Sequence, residues 1–353
     1  FTACAGVDGS YGNRSGEGSC DLFQSNFNVK ASAYNEAINL SQLNSTSWES
    51  QPALSADGQQ LYFVRAFRSK ESNELVQDIY ISERNEAGLW MQPSRLSDVI
   101  NTAGREENPF LHSDGVSLYF ASDGLPGMGG MDLYVSRKSD DGSWSTPENL
   151  GYPINTNGDE NSLQVFADGR HAIFATDREE PGNLDLWEFE LPEAVSANAA
   201  ALWQGGVFDS KTRTPVSARV QVLNKAGVIL STQRSNPDDG QFTLSYSSEE
   251  EVIVQVEHPD FAFFSTTLQG ASELDSFVPI PLERLRVGMT MTLRDVRFEK
   301  SSADLADSFQ PELEQLAKTM LQSEIRIEII GHTDGDGSFE NNLILSSQRA
   351  ESV

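Results

Sequence analysis

The sequence predicts a mainly β, multidomain protein: a β-propeller of few blades, then a β-sandwich, then a short α/β domain. Three observations predict it. A hairpin pattern centred on an Asp-Gly pair recurs at Asp57, Asp114 and Asp168, spaced by 57 and 54 residues. Beyond residue 202 the repeats give way to unrelated short alternating strands. From Met289 onward an alternating run, a helical stripe, a second alternating run and a second helix follow one another.

The 353 residues are enough for two or three domains. Acidic residues outnumber basic ones 53 to 25, a formal net charge of -28, which argues against nucleic acid and anionic lipid surfaces as general partners. The 19 Phe, 5 Trp and 8 Tyr argue against disorder. No apolar run reaches the roughly 18 residues that a membrane-spanning helix needs.

The two cysteines, Cys4 and Cys20, bracket a Gly/Ser-rich stretch, so residues 1–20 read as a flexible tether. The remaining chain has no thiol, and no zinc cluster can be built on thiolates. Phe1-Thr-Ala-Cys4 resembles the end of a bacterial lipoprotein signal, which implies a lipid on Cys4 and anchorage to a membrane. A Cys4–Cys20 disulfide or two idle thiols are the alternatives.

Residues 21–192 hold the repeats. Pro52-Ala-Leu-Ser-Ala-Asp-Gly-Gln-Gln-Leu-Tyr-Phe63 and Pro109-Phe-Leu-His-Ser-Asp-Gly-Val-Ser-Leu-Tyr-Phe120 match closely, and Ser162–Phe174 is a looser copy. A second strand follows each, starting at Asp78, Asp132 and Asp185. A third element precedes each: Leu40–Asn44, Leu96–Asn101 and Leu150–Asn155. Asp-Gly between alternating apolar runs makes hairpin turns, because Gly accepts positive φ. Each unit is then a small antiparallel sheet of the kind that builds propeller blades. The pattern resembles the TolB-type propeller repeat, down to Gly127-Met-Gly-Gly-Met-Asp132-Leu-Tyr134 in the second copy. Three copies are fewer than the four blades of a normal ring. A diverged blade over 21–48, a last blade completed by Phe27–Ser32, or an open propeller would each account for that. The recurrent Asp, Asn and Gly read as turn chemistry rather than calcium loops. Trp90 and Trp144, at matching places, read as packing residues rather than a carbohydrate platform.

Residues 193–201 are a small-residue linker, and residues 202–285 form the predicted sandwich. Gly205, Val207, Asp209, Pro215 and Val216, followed by Ala218 and Val220, resemble the opening of the carboxypeptidase regulatory-like domain. That resemblance implies a transthyretin-like sandwich without a catalytic role, here a spacer. Glu249–Glu251 reads as a solvated turn.

Residues 286–353 carry the functional motif. Thr290–Phe298 and Ile325–Ile330 read as strands, and Pro311–Ser323 as a helix with a stripe of Leu313, Leu316, Ala317 and Met320. A turn-rich loop, Gly331-His-Thr-Asp334-Gly-Asp-Gly337, leads to a helix starting near Phe339. Asn342, Ser346 and Arg349 share one face of that helix, with Asp334 beside its start. A carboxylate and a guanidinium together suit a zwitterionic group, although such a pair is also a common surface ion pair. Gly331, His332, Thr333, Asp334, Gly337, Asn342, Leu345, Ser346, Arg349 and Ala350 match every fixed position of the hallmark of the OmpA-like peptidoglycan-binding domain. The resemblance implies that Asp334 and Arg349 grip the diaminopimelate of the peptidoglycan stem peptide, with Thr333, Asn342 and Ser346 supporting them. The sequence stops at Val353 inside the second helix, so the C-terminal part of the domain is expected to be absent. His332 has no hydrolytic partner motif, and a calcium loop fails at Phe339 and Leu345. The four histidines have no metal-ligand spacing, so no metal or cofactor is expected.

The combined expectation is a non-enzymatic periplasmic anchor of a Gram-negative bacterium, tied to the outer membrane through Cys4 and to peptidoglycan through residues 286–353. Its propeller would face a protein partner of an envelope machine. The domain order is similar to that of peptidoglycan-anchoring lipoproteins of type IX secretion systems, which carry helical repeats in front that this sequence lacks. The alternatives are a small-ligand-binding or hydrolytic propeller merely localised to the wall, and a structural subunit of a large envelope assembly.

Overall fold

The computed structural model describes residues 1–6, 11–12, 14–28, 31–69, 73–85, 87–139, 141–248, 251–269, 277–291, 293, 298, 302–305, 310–323, 326–333 and 338–353. The chain is mostly β and forms two compact units, Phe1–Leu202 with Ser245–Ser247, and Trp203–Leu244 with Ser248–Val353.

The first unit is a series of sheets built alike. β1 (Thr2–Cys4) pairs with β2 (Cys20–Gln24); β3 (Phe27–Asn28) and β4 (Ala33–Tyr34) pair with each other, and β5 (Ile38–Asn39) returns to β2. Through one parallel pair, Cys20 with Trp48, β2 joins the next set, β6 (Trp48–Leu54), β7 (Gln60–Arg68), β8 (Leu75–Glu83) and β9 (Ser94–Arg95), so that the first two sets are continuous. The third runs β10 (Glu106–Leu111), β11 (Ser117–Ser122), β12 (Asp132–Arg137), β13 (Glu148–Asn149). The fourth has three strands, β14 (Glu160–Val165), β15 (His171–Thr176) and β16 (Asp185–Glu190). The first strands adjoin, with β10 against both β6 and β14.

Residues 1–6 and 14–24 are not a tether: Thr2 faces Leu22, Ala3 faces Asp21 and Cys4 faces Cys20 across a ladder. Tyr11 is buried and its hydroxyl donates to the Gly18 carbonyl (2.6 Å) and to Asp21 (3.1 Å). Cys4 and Cys20 form a disulfide. A sulfur held in a disulfide has no valence left for a thioether, so Cys4 is not a lipid acceptor in this structure. Asp21-Leu-Phe of β2 stands where Asp78-Ile-Tyr, Asp132-Leu-Tyr and Asp185-Leu-Trp stand in the other sheets. The segment from Phe27 pairs with β4 and does not complete the last sheet.

Alternation along each middle strand buries both of its faces. Phe63 of β7 packs with Leu22, Leu43 and Trp90, whereas its neighbour Tyr62 packs with Ile79, Ile100 and Phe120. Tyr119 of β11 in turn joins Leu133, Leu163 and Phe174. The cores therefore lie between successive sheets. Trp90 is buried in the first of these layers beneath Arg84, and Trp144 packs against the second.

Polar groups repeat with the same regularity. The Asp-Gly turns place Gly58, Gly115 and Gly169 at φ of 70°, 76° and 75°, which L side chains rarely adopt. Glu49, Glu106 and Glu160 are fully buried, each accepting the backbone N–H and hydroxyl of Ser45, Thr102 or Thr156. Gln51, Asn108 and Ser162 also have positive φ, each inside a bulge of its first strand. Their side chains link the sheets: Gln51 accepts from the Asn108 N–H (2.8 Å), and Ser162 donates to the Asn108 side chain (3.3 Å).

Asn44, Asn101 and Asn155 perform the same task in three sheets. The side chain of Asn101 accepts the Ile79 N–H (2.7 Å) and donates to the Ile79 carbonyl (3.0 Å); Asn44 does this for Leu22 and Asn155 for Leu133. An amide is the right group, because it offers one donor and one acceptor side by side, as a neighbouring strand would.

In the second unit, β17 (Ala200–Asp209) is central to one sheet. β18 (Arg219–Leu223), β19 (Ile229–Arg234), β20 (Gln241–Ser247), β21 (Glu251–Glu257), β22 (Phe264–Gln269) and β23 (Val278–Leu282) follow. The sheet orders are β20-β17-β23 and β19-β18-β21-β22, with β17 and β23 parallel. Asp209, at the end of β17, is buried. It accepts the N–H groups of Thr212 and Lys211 and the Arg284 guanidinium (2.7 Å), which lies over Phe261.

Among the described residues the unit also has two helices, α1 (Gln310–Ser323) and α2 (Phe339–Ser352). The α1 stripe differs from the expected one: Leu316 is buried, but so are Glu312 and Gln315, while Ala317 is exposed. Gln315 and Lys318 both donate to Glu257 of β21, at 2.6 and 3.0 Å. Burial alone would raise the Glu257 carboxyl; the Lys318 and Gln315 contacts outweigh it and hold the carboxyl below its ordinary range. The strands expected over 290–298 and 325–330 do not form among the described residues. Residues 326–330, 289–291, 293 and 298 are not in strands, and no ladder partner lies beside 326–330 among the described residues. Alternation predicts a strand only where a neighbour supplies the backbone bonds. Val296 and Arg297 lie outside the described residues.

Two stability measurements follow. Replacing Asn101 by Ala strands the buried Ile79 N–H, while the Ile79 carbonyl keeps the Leu96 N–H, and denaturant unfolding should show a loss of about 2 kcal/mol in the first unit. The Thr212 and Lys211 N–H groups, with Arg284, hold the Asp209 carboxyl down to about 2, against 3.8 when free. A depressed carboxyl stabilises above the free value and loses that contribution as pH falls through the folded value. The melting temperature should therefore drop more steeply between about pH 4 and pH 2 in the wild type than in Asp209→Asn.

Candidate functional site

The motif residues lie on α2 and the segment before it. Ser338 caps α2, its hydroxyl accepting the Asn341 N–H (3.3 Å), while Glu340 in the first turn and Arg349 in the last complement the helix dipole. Asn342, Leu345, Ser346, Arg349 and Ala350 are half-buried, whereas Leu343, Ile344 and Phe339 are exposed. The three polar residues that share a face in the sequence pattern thus share the inward face of the helix.

Arg349 is held from three directions. Its Nε donates to the Ser302 carbonyl (2.9 Å), its Nη1 donates to the His332 carbonyl (3.2 Å), and the guanidinium lies 5.0 Å over the Phe298 ring. The His332 contact ties α2 to the loop that carries Thr333, which is half-buried. The Ser346 hydroxyl is turned to its own helix and donates to the Leu343 carbonyl (2.9 Å). The Asn342 N–H donates to Ser338. Asp334, the carboxylate of the expected pair, lies outside the described residues, as does Gly337.

Gly331 has a direct steric reason. A Cβ there would fall 2.1 Å from the Ser346 carbonyl oxygen and 3.2 Å from the Ala350 nitrogen, both backbone atoms of α2. The motif glycine therefore lets the loop lie against the helix that bears Arg349. Ser302 and Phe298 were not singled out from the sequence. Their signal was only their place in the run preceding α1, and a backbone carbonyl contact leaves no trace in residue type.

Elsewhere, no group of three or more His, Cys, Asp or Glu side chains stands close enough to hold a metal ion among the described residues. His112 is buried, bonded to the Phe166 carbonyl (2.9 Å) and the Asp114 N–H (3.1 Å), a structural placement.

Residues 297–353 match the OmpA family. No curated protein matches the chain. Among solved structures, the chain is similar to TolB from Acinetobacter baumannii at 14% identity and TM-score 0.35, covering 72% of this chain and 58% of that one. A thermostable family-43 glycoside hydrolase shows 15% identity and TM-score 0.32, covering 44% and 59%. The shaft pilin SpaA from Lactobacillus rhamnosus GG shows 10% identity and TM-score 0.23, covering 48% and 76%. The chain thus spans less than two thirds of the first two. At TM-scores of this size the likeness carries no argument about function.

The Gly331 contact is testable without a ligand. Gly331→Ala should loosen α2 and raise amide hydrogen exchange in residues 339–352, while exchange in β17–β23 stays unchanged.

Proposed function

We propose that this protein is a non-enzymatic anchor of the Gram-negative cell envelope that binds peptidoglycan through its C-terminal segment. The observation that carries this reading is the OmpA-family match over residues 297–353, within which Arg349 is fastened to the loop bearing Thr333. The ligand is the diaminopimelate of the stem peptide. Arg349 would take its carboxylate with paired N–H donors, and Asp334 its ammonium. The contact with the His332 carbonyl fixes the guanidinium and lowers the entropy lost on binding. Thr333, Asn342 and Ser346 support the loop and the helix around that pair.

In this reading the repeats of the first unit present a surface to a protein partner of an envelope machine, residues 202–285 act as a spacer, and the protein lies in the periplasm. Attachment to the outer membrane would not pass through the Cys4 sulfur while it is bonded to Cys20.

The test is co-sedimentation with purified sacculi of the diaminopimelate type. The wild-type chain should pellet with them, and Asp334→Ala and Arg349→Ala should each reduce the bound fraction about tenfold or more, the loss of a charge-assisted contact. Equal sedimentation of all three proteins would overturn the reading. Competition by free meso-diaminopimelate should release the wild type.

A further inference from the structure

The fourth sheet of the first unit lacks what the other three share. In each of those, a two-residue strand (β5, β9 or β13) covers the outer edge of β2, β8 or β12, and an Asn a few residues on clamps that edge. The clamped residues Leu22, Ile79 and Leu133 are 1%, 0% and 0% exposed. Their carbonyls also accept the N–H of Leu40, Leu96 and Leu150. Leu186 holds the same position in β16, facing Ala175 as Leu133 faces Ala121. It is 78% exposed, and β16 is an open edge of its sheet. Among the described residues no hydrogen bond reaches its outward N–H or carbonyl.

We propose that the β16 edge docks an extended segment of a partner polypeptide with the pattern Arg-Leu-x-x-x-Ile-Asn. The three filled edges are the template. The segments read Asn39-Leu-Ser-Gln-Leu-Asn44, Arg95-Leu-Ser-Asp-Val-Ile-Asn101 and Asn149-Leu-Gly-Tyr-Pro-Ile-Asn155. In each, the Leu N–H and the Asn amide satisfy the edge backbone, and the apolar residue before the Asn (Leu43, Ile100 or Ile154) is buried beside it. Charge selects among the three. Asp78 receives the Arg95 fork at 2.6 and 3.2 Å, and its counterpart on β16, Asp185, is exposed, with Glu188 exposed on the same strand. An Arg before the Leu therefore complements this edge better than Asn. Main-chain pairing supplies affinity and the Arg and Asn supply register, as in other strand-addition sites. The proposal rests on reading the repeats as a partner-presenting surface, and it locates that surface.

The probe is a fluorescent peptide copying Pro93–Thr102, titrated with the full chain and read by anisotropy. Saturable binding is expected, weakened about tenfold when the peptide carries Asn101→Ala, which removes the clamp. On the protein, Leu186→Pro deletes only the outward donor, a change edge strands tolerate, and should abolish binding without altering the melting temperature. Asp185→Lys should weaken binding and guards against misfolding of the Pro variant. No saturation by roughly 1 mM, or binding indifferent to all three changes, would overturn the proposal. So would a concentration-dependent dimer that Leu186→Pro disperses, since a second copy would then be the occupant. Sacculus binding depends on other residues, so each reading fails separately.

Discussion

A sheet of three or four strands with apolar residues on both faces cannot bury either face alone, and the first unit is built on that constraint. Tyr62 and Phe63 are neighbours in one strand, yet they lie in different cores, each completed by an adjoining sheet. Every internal sheet is therefore half of two cores. The same demand brings the N-terminal residues into the fold. Leu22 covers Phe63 and Leu61, and Phe23 packs against Phe1 and Tyr11, so β1 and β2 pack as part of a sheet instead of trailing as a tether.

Close stacking also encloses polar backbone, which must find partners. Asn44, Asn101 and Asn155 meet that need with side chains where a full strand would otherwise be required. The buried Glu49, Glu106 and Glu160 do it for the turns that enter each sheet. Burial pushes the Glu106 carboxyl upward, and the Thr102 and Ser122 hydrogen bonds oppose that shift. These residues recur for a structural reason, which is why their repetition alone does not mark a ligand site. An edge left without its clamp is a different matter, because the energetic demand stays open there.

The C-terminal segment follows another logic. Here a loop and a helix meet so closely that only Gly fits at position 331, and Arg349 is steadied by two carbonyls and a ring. A long flexible cation is thereby held in place. The helix α1 is held by a charged group as well as by the buried Leu316, with Glu257 receiving both Gln315 and Lys318.

Several features were legible in the residues themselves. The Asp-Gly turns need positive φ, the Asp209 turn needs a short carboxylate, and the loop before α2 needs its glycine; each requirement is local and leaves a residue type behind. The Asp21-Leu-Phe signature was equally present, but the nearby Phe1-Thr-Ala-Cys4 read as a lipid signal because four residues carry no information about a pairing sixteen residues away. The face that α1 buries, the links among Gln51, Asn108 and Ser162, and the exposure of Leu186 were decided only in three dimensions. In each, the partner is distant in sequence and its contribution is a backbone group or a shape. By itself the sequence determined the turns, the sheet-building repeats and the motif helix, since those rest on local backbone preference. The tertiary structure decided which edges are closed and which side chains face inward, because burial and hydrogen-bond satisfaction belong to neighbours rather than to single residues.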